Sequence, residues 1–286
     1  MKKKILIASD STSDLNAELI SRYGIRILPL GVTLCDKQYT DGVDIDPEFI
    51  YKTYEITKTL PKTSAISIGN ATDFFKACKE DADAVVFFTI SSQMSSTYQN
   101  VNLAASEFEN VYVVDTQNLS TGGGLLVVKA AELAESGMAA EEIAKTCSEL
   151  AKCVDASFVI DSLEFLHKGG RCSAVAAFGA NLLQLKPCIV VRNGKMGVSK
   201  KYRGRFSEVL KKYVAEQIGD ASDIDLDRIF VTHAGCDEAV VEACATLVKN
   251  SAPFKEVQIT RAGCTISSHC GRNTLGVLFF RKNPVN

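Results

Sequence analysis

Hydroxyl side chains are concentrated where an apolar run ends, at residues 91–97. The run from Ala84 to Ile90 is followed by five hydroxyl residues in close succession: Ser91, Ser92, Ser95, Ser96 and Thr97. One hydroxyl is enough to cap a helix, so the cluster offers more donors than capping requires. Where a strand ends and a helix begins, free backbone N–H groups and the helix dipole favour an anion. The stretch therefore indicates either a solvated capping segment or a site for an anionic group.

Two other hydroxyl clusters are present. Residues 10–13 (DSTS) follow the first apolar run, and residues 61–67 (PKTSAIS) contain Thr63, Ser64 and Ser67. Ligands of open α/β sheets bind beyond the carboxyl ends of the strands, where residues 10–13 and 91–97 are expected to lie. For residues 10–13 the sequence favours a helix-capping role. The recurrence of these clusters favours a ligand site at one edge of a sheet.

An arginine and a histidine lie in glycine-containing turns. Gly169 and Gly170 precede Arg171, and His269 follows a serine pair. Paired glycines allow the backbone to approach a partner closely, and a guanidinium can pair with a carboxylate or phosphate. An imidazole in a turn can donate to an anion or relay a proton. The alternatives are a surface turn with a solvated arginine and, for the histidine, a structural hydrogen bond, which is the commoner role.

Several catalytic motifs are incomplete. The stretch NGKMGVSK lacks the spacing of a phosphate-binding loop, and GGGLLVV does not complete GxGxxG. Residues 65–69 (AISIG) resemble a nucleophile elbow, but no strand-like run precedes them, which disfavours Ser67 as a nucleophile. Cys264, His269 and Cys270 lack the paired spacing of a zinc site, so no metal or cofactor is expected. A serine hydrolase that acts on an acyl ester, with Ser67 and His269, is the alternative hypothesis.

Apolar runs alternate with helical patterns along the chain. KILIAS, IRILPLGV, DAVVFFTI and RIFVTHAG are typical of strands, and Asn193-Gly194 predicts a hairpin turn. A helix is predicted after the glycine turn at residues 169–170. The alternation predicts an α/β fold, with two α/β domains and mostly parallel sheets. Because the pattern changes near residue 155, we expect domains at 1–155 and 156–286, a division that is compatible with segment exchange between them.

The composition is that of a globular protein. Of 286 residues, 46% are hydrophobic and 23% are charged. The net charge of −2 does not show the excess of basic residues that is typical of nucleic-acid-binding proteins. No stretch approaches the roughly 18 apolar residues of a membrane span, and no signal peptide is recognisable. We therefore expect a cytoplasmic protein with no nucleic-acid partner and no stable membrane insertion.

Taken in order, the motifs resemble the DegV family. ASDSTSDL, KTSAIS, TISSQMSSTYQN, VIDSLEFLHKGGRCS and SSHCGRNTLG occur in the order of the family and span nearly the whole chain. The resemblance implies a DegV-like fold with a ligand between two domains. It also implies a bacterial protein that holds a long-chain fatty acid in an apolar tunnel. Such a protein is not an enzyme on its own; it presents the carboxylate to an ATP-dependent fatty acid kinase subunit, where one exists, for acyl-phosphate formation and phospholipid metabolism.

The resemblance carries over to individual residues. The implied ligand-binding side chains offer hydroxyl, guanidinium or imidazole groups: Thr63, Ser64, Ser92, Ser95, Ser96, Arg171 and His269. The basic segment KYRGR matches a region of kinase contact and gives Arg203 and Arg205 as partner-binding residues. The last motif departs from the usual His-x-Gly-Pro-Gly, because Arg272 replaces the proline, and this leaves the role of Arg272 open.

A fatty acid requires two opposite environments. Its tail gains about 0.8 kcal/mol for each buried CH₂ group, and its carboxylate needs hydrogen-bond donors when it is buried. Neutral hydroxyls hold a carboxylate and leave it able to attack a phosphoryl group, whereas a direct arginine pair would quench it. We therefore expect Arg171 at the rim of the site. Because phosphoryl transfer needs Mg²⁺ and positioned cations, we expect the partner to supply the ATP chemistry.

Overall fold

A four-stranded parallel sheet is formed by the first part of the chain. The computed structural model of the protein describes residues 4–172 and 185–285. In spatial order the strands of this sheet are β2 (Arg26–Leu28), β1 (Ile5–Asp10), β6 (Ala84–Thr89) and β7 (Val111–Asp115). All three pairings are parallel. Every residue of β6 is buried, as expected for a central strand that is covered on both faces.

A small antiparallel sheet lies beside the parallel one. Its strands are β4 (Lys37–Thr40), β3 (Gly31–Leu34) and β5 (Lys62–Ser64), in that spatial order. The single strand expected over IRILPLGV is therefore wrong, because β2 and β3 belong to different sheets. Pro29 stands between them, and proline has no N–H group with which to continue a ladder. Helix α2 (Pro47–Thr57) follows β4, and the Asp46 side chain caps it by accepting a hydrogen bond from the Phe49 N–H.

A six-stranded sheet is formed by the later part of the chain. Its strands, in spatial order, are β10 (Lys195–Arg203), β9 (Leu185–Arg192), β8 (Val154–Ile160), β13 (Thr274–Arg281), β11 (Ile224–Ala234) and β12 (Glu256–Arg261). Only β11 and β12 pair in parallel. The predicted turn at Asn193-Gly194 is confirmed, with φ of 50° and 76°. The α/β class is confirmed, but mostly parallel pairing holds for the first sheet and not for this one, because the hairpin and the return of β13 impose antiparallel neighbours.

The helices cover the sheets and fill the space between them. In chain order they are α1 (Ala17–Tyr23), α2, α3 (Ile68–Asp81), α4 (Thr97–Ala105), α5 (Thr121–Ser136), α6 (Ala140–Leu150), α7 (Glu164–Gly169), α8 (Phe206–Ile218), α9 (Glu238–Ser251) and α10 (Cys264–Cys270). One apolar cluster contains Phe88 of β6, Leu126 of α5 and Leu278 of β13. Helix α5 therefore packs between the two large sheets. The helix predicted after residues 169–170 falls mainly on residues 173–184, outside the described residues.

The expected domain division at residue 155 falls inside a strand. Strand β8 pairs with β13 along its whole length, so it belongs to the six-stranded sheet. We propose that the chain passes from the first unit to the second at the short 3₁₀ turn Ala151–Cys153, directly before β8. Helix α10 comes from the second half of the chain but contacts α2, β3 and β5 of the first. This exchange brings residues from both ends of the chain to one place.

Candidate ligand-binding cavity

A hydrogen bond between Thr63 and His269 joins distant parts of the chain. Thr63 lies in β5 and His269 lies in the last turn of α10. The Thr63 Oγ1 and His269 Nε2 atoms are 2.8 Å apart. A neutral imidazole that carries its proton on Nε2 donates to the threonine oxygen and leaves the threonine hydroxyl proton free for another acceptor.

His269 is held in its neutral form. Burial, with a further contribution from the nearby Arg171 guanidinium, lowers the pKa of His269 to about 4. Its Nδ1 atom is buried and has no hydrogen-bond partner among the described residues. A Cβ atom built on Gly169 would lie 2.5 Å from Nδ1, so the glycine is what makes room for the ring. The glycine pair of the sequence thus has a steric role.

Arg171 lies next to this histidine and is exposed to solvent. Its guanidinium bends back and donates from Nη1 to the Gly169 carbonyl at 2.7 Å. The side chain still forms part of the cavity wall. In this position Arg171 adds positive charge beside the imidazole without forming a hydrogen bond to it.

These residues enclose a cavity of about 230 Å³ with an apolar wall and a polar side. The apolar wall is made of Leu30, Ala65, Ile90, Met94, Leu119, Met196, Ile266 and Cys270. The polar side is made of Thr63, Ser64, Ser95, Ser96, Arg171, Thr265 and His269. A cavity of this kind suits a ligand with an apolar body and a polar head.

Some serines of the cluster after β6 have structural roles, and others line the cavity. Ser91 donates its hydroxyl to the Gly194 carbonyl at 2.7 Å, which ties the hairpin turn to this loop. Ser92 is not part of the cavity wall, and its backbone N–H donates to Asp115 at 3.2 Å. Ser95 and Ser96 do line the cavity. The structure therefore brings together six of the seven predicted ligand-binding residues and leaves Ser92 outside.

Two buried carboxylates position α10, and their role was not recognised in the sequence. Asp41 accepts from the N–H groups of Cys264 at 2.8 Å and Thr265 at 3.1 Å, and Asp14 accepts from the Gly263 N–H at 2.8 Å. These bonds satisfy the free N–H groups at the start of the helix that carries His269. Burial raises the pKa of Asp14 well above its usual range. No motif or spacing in the sequence singled out these two aspartates for this role.

Asp10 fixes another part of the cavity wall. It is fully buried at the end of β1 and accepts from the Ile90 N–H at 2.7 Å and the Thr12 N–H at 3.0 Å. The first bond sets the position of Ile90, which lines the cavity. Burial raises the pKa of Asp10 to about 6. The first hydroxyl cluster, residues 10–13, thus has the capping role that the sequence favoured.

Arg272, whose role the sequence left open, bridges the two halves of the chain. Its Nη2 atom donates to Glu48 of α2 at 2.6 Å, and its guanidinium lies 5.1 Å from the centre of the Tyr51 ring. Arg261 of β12 donates to the other oxygen of Glu48. The departure from the family motif therefore strengthens the contact between α2 and the segment after α10.

Arg203 and Arg205 lie away from the cavity. Both are exposed, at the end of β10 and directly before α8. Met196, on the same strand as Arg203, lines the cavity. Arg203 is seven residues farther along this strand, which corresponds to about 23 Å at the usual rise per residue. A groove beside Arg203 is also lined by Lys200, Lys201 and Lys212. Glu208 also lines this groove and Lys200 pairs with Glu216, so the surface around Arg203 has an excess of basic side chains but is not uniformly basic.

The residues of the hydrolase alternative are not paired. Ser67 is exposed, and its hydroxyl accepts from the Asn70 N–H at 3.1 Å as the cap of α3. The Nε2 atom of His269 is instead bonded to Thr63. A nucleophilic serine needs a base within hydrogen-bond reach, and this arrangement does not provide one for Ser67.

The parts of the chain that the structure describes contain neither a cluster of metal-ligating side chains nor a membrane-spanning helix. Within residues 4–172 and 185–285, no group of three or more His, Cys, Asp or Glu side chains could hold a metal ion. In the same residues no helix has the length and apolar character needed to cross a bilayer. Cys264 and Cys270 have separate environments, because Cys264 donates to the Ile45 carbonyl and Cys270 lines the cavity.

Comparison with known proteins adds independent information. A family model described as an uncharacterised protein of the DegV family matches residues 4–282. A fatty acid-binding protein of Thermotoga maritima is 34% identical in an alignment of 285 positions that covers 96% of each chain. A solved structure of a fatty-acid-binding DegV family protein from Thermus thermophilus is 32% identical, with a TM-score of 0.87 over 97% of this chain and 99% of the other.

A third similarity concerns a protein with a defined ligand. A stearic-acid-binding protein from Eubacterium ventriosum is 26% identical, with a TM-score of 0.82 over 99% of both chains. The match of the family model covers nearly the full length of this sequence, in agreement with the order of the motifs along the chain. This chain belongs to the DegV family.

Proposed function

We propose that this protein binds one long-chain fatty acid, with the carboxylate beside Thr63, Ser64 and His269 and the acyl chain along the apolar wall of the cavity. The observation that carries the proposal is the shared hydrogen bond between Thr63 and His269 at the polar side of an otherwise apolar cavity. The fatty-acid-binding relatives from Thermotoga and Thermus support the same ligand class.

The neutral state of His269 suits a carboxylate ligand. With its proton on Nε2, the imidazole donates to the Thr63 oxygen, and the threonine hydroxyl donates to the carboxylate. Such a chain of donors stabilises a buried anion without a direct ion pair. Arg171 contributes its charge from the exposed edge of the cavity. The ligand carboxylate therefore keeps electron density that a bidentate guanidinium contact would withdraw.

The retained nucleophilicity supports a second part of the proposal, which is the presentation of the acid to a partner kinase. A carboxylate oxygen would attack the γ-phosphorus of ATP, the bond to the β-phosphate oxygen would break, and ADP would leave with the acyl phosphate as product. The partner would supply ATP and Mg²⁺. The basic surface around Arg203 and Arg205 offers charge complementarity for an acidic face of that partner.

The direct test is extraction of the purified protein under denaturing conditions, followed by mass spectrometry. We expect close to one fatty acid per chain. Thr63→Val removes the hydroxyl and keeps the shape of the side chain. Because a hydrogen bond to a charged group contributes about 1.5–3 kcal/mol, we expect fatty-acid affinity to fall roughly 10-fold to 100-fold. Thr33→Val, in the neighbouring strand β3 and outside the cavity wall, is the matched control.

Two results would contradict the proposal. One is the absence of any fatty acid in the extract together with no uptake of added acid by the native protein. The other is equal retention by Thr63→Val and Thr33→Val. For the kinase step, replacement of both Arg203 and Arg205 by Ala should weaken partner-dependent formation of acyl phosphate and leave fatty-acid binding unchanged.

A further inference from the structure

A second, smaller cavity lies beyond the first. Its volume is about 30 Å³, and it shares Leu119, Ile266 and Cys270 with the wall of the larger cavity. These three side chains thus belong to both walls, so the two spaces are adjacent. The second cavity lies against the six-stranded sheet.

The far wall of the second cavity is made by one face of that sheet. Phe158 of β8, Ala234 of β11 and Leu278 of β13 line it. Successive residues of a strand point to opposite faces, so Leu278 faces this cavity and α5. Leu275 of the same strand packs instead with the cluster under α8 and α9. The wall is therefore defined by alternate residues of the strands.

The hydroxyl groups on this wall are already bonded. Thr232 shares hydrogen bonds with Thr121 at 2.5 Å and with Thr260 at 2.9 Å. Ser120 donates to Asp14 at 2.5 Å. His233 also contributes to this wall, but it alternates with Thr232 and Ala234 along β11, so its ring points to the opposite face of the sheet. With the hydroxyl bonds formed, the second cavity offers a ligand apolar contacts rather than hydrogen bonds. An apolar cavity of this kind favours hydrocarbon over water.

We infer that the second cavity receives the terminal carbons of the acyl chain, and that Phe158, Ala234 and Leu278 set the longest chain that fits. This inference rests on the proposed function and adds the residues that determine substrate length. The volume accommodates roughly one or two carbon atoms. Each methylene that enters a matching apolar space raises affinity about fourfold, and a chain that is too long must displace packed side chains.

Removal of part of the wall tests the inference. Delipidated protein is incubated with an equimolar mixture of saturated fatty acids of graded length, and the bound acids are quantified by mass spectrometry. Leu278→Ala extends the cavity, and we expect the preferred acid to become about two carbons longer, with a roughly tenfold change in the ratio of longer to shorter acid. Leu275→Ala removes the same group on the opposite face and should leave the ratio unchanged.

A substitution that fills the second cavity should shift the bound acids in the opposite direction. It also avoids a large truncation, so the result does not depend on whether the fold tolerates one. Ala234 is buried and points into the second cavity. Ala234→Val should shift the bound mixture toward shorter acids. Ala245→Val, at a buried position of α9 in the other cluster, should not shift it. Thermal melting of each variant shows whether it is folded.

The outcomes separate the inference from the proposed function. If the wild-type protein takes up no fatty acid, the proposed function fails and the inference fails with it. If the wild-type protein binds fatty acids but neither Leu278→Ala nor Ala234→Val changes the length of the bound chain, the proposed function stands and the inference is overturned. Opposite shifts by these two variants, with no shift in their controls, support it.

Discussion

His269 is the residue whose charge state the structure controls most directly. Burial favours the neutral imidazole, and the positive charge of Arg171 acts in the same direction. Neutral His269 can take part in the hydrogen bond with Thr63 as donor or acceptor, whereas the imidazolium can only donate. The residue therefore couples the polar side of the cavity to pH.

This coupling predicts an acid-dependent loss of stability. Because the folded-state pKa of His269 is about 4 and that of an unfolded histidine is about 6.5, protonation favours the unfolded chain. The contribution of His269 to the free energy of unfolding should be complete above about pH 6.5 and should decline as the pH falls toward 4. His269→Gln should abolish this component, which is measured as the difference between wild-type and variant in denaturant unfolding at several pH values.

The comparison with a variant is necessary because the titration of Asp10 changes the free energy of unfolding in the opposite direction as the pH falls. Its pKa is raised to about 6, so the cost of its buried charge decreases as the pH falls through that value. The difference between wild-type and His269→Gln cancels this contribution. A difference that does not change between pH 7 and 4 would contradict the account of His269.

At the scale of elements, α7 and α10 are fitted to each other at Gly169. The last residue of α7 is a glycine, and the ring of His269 occupies the space where a side chain would start. Alanine is normally favoured over glycine inside a helix by up to about 1 kcal/mol. The steric contact reverses this preference at position 169.

Gly169→Ala should therefore displace the imidazole and weaken the bond between Thr63 and His269. We expect the variant to lose fatty-acid affinity by about tenfold or more and to melt at a lower temperature. The matched control is Gly69→Ala in the first turn of α3, where the nearest side-chain atom is 4.0 Å from the added Cβ. Unchanged affinity in Gly169→Ala would show that the ring can move without loss of the site.

At the scale of the whole molecule, the cavity exists because α10 crosses to the N-terminal half of the chain. Asp41 is 5% exposed and accepts four hydrogen bonds, from the Ser11 hydroxyl, the Cys264 N–H, the Thr265 N–H and the Thr265 hydroxyl. Glu48 adds an ion pair with Arg272 nearby. These contacts link the small antiparallel sheet to the helix that carries His269.

Asp41→Asn should loosen this link. The amide nitrogen of asparagine would face N–H donors, so at least one buried hydrogen bond would be lost and a donor would be left unpaired. We expect the free energy of unfolding to fall by about 2–4 kcal/mol, measured by urea titration. Asp36→Asn, at an exposed position with φ of 61° that asparagine tolerates, should change it little. Equal stability of the two variants would rule out Asp41 as the link.

Local patterns in the sequence were sufficient for the fold class and for much of the polar side of the cavity. The alternation of apolar runs and helices predicted an α/β fold, and Asn193-Gly194 predicted the hairpin. The resemblance to the DegV family pointed to Thr63 and His269, which the structure brings into direct contact. These features depend on neighbouring residues or on motifs, so the linear sequence contains them.

Only the tertiary structure decided which serines face the cavity, how Arg272 is used and where the strands of the second sheet pair. Ser92 and Ser95 are three residues apart in one loop, yet only Ser95 lies in the cavity wall. The choice depends on segments far apart in the chain, such as β5 and α10, and on the volumes that their side chains fill. Periodicity and motif spacing describe local conformation, whereas a cavity is the space that remains after distant elements have packed together.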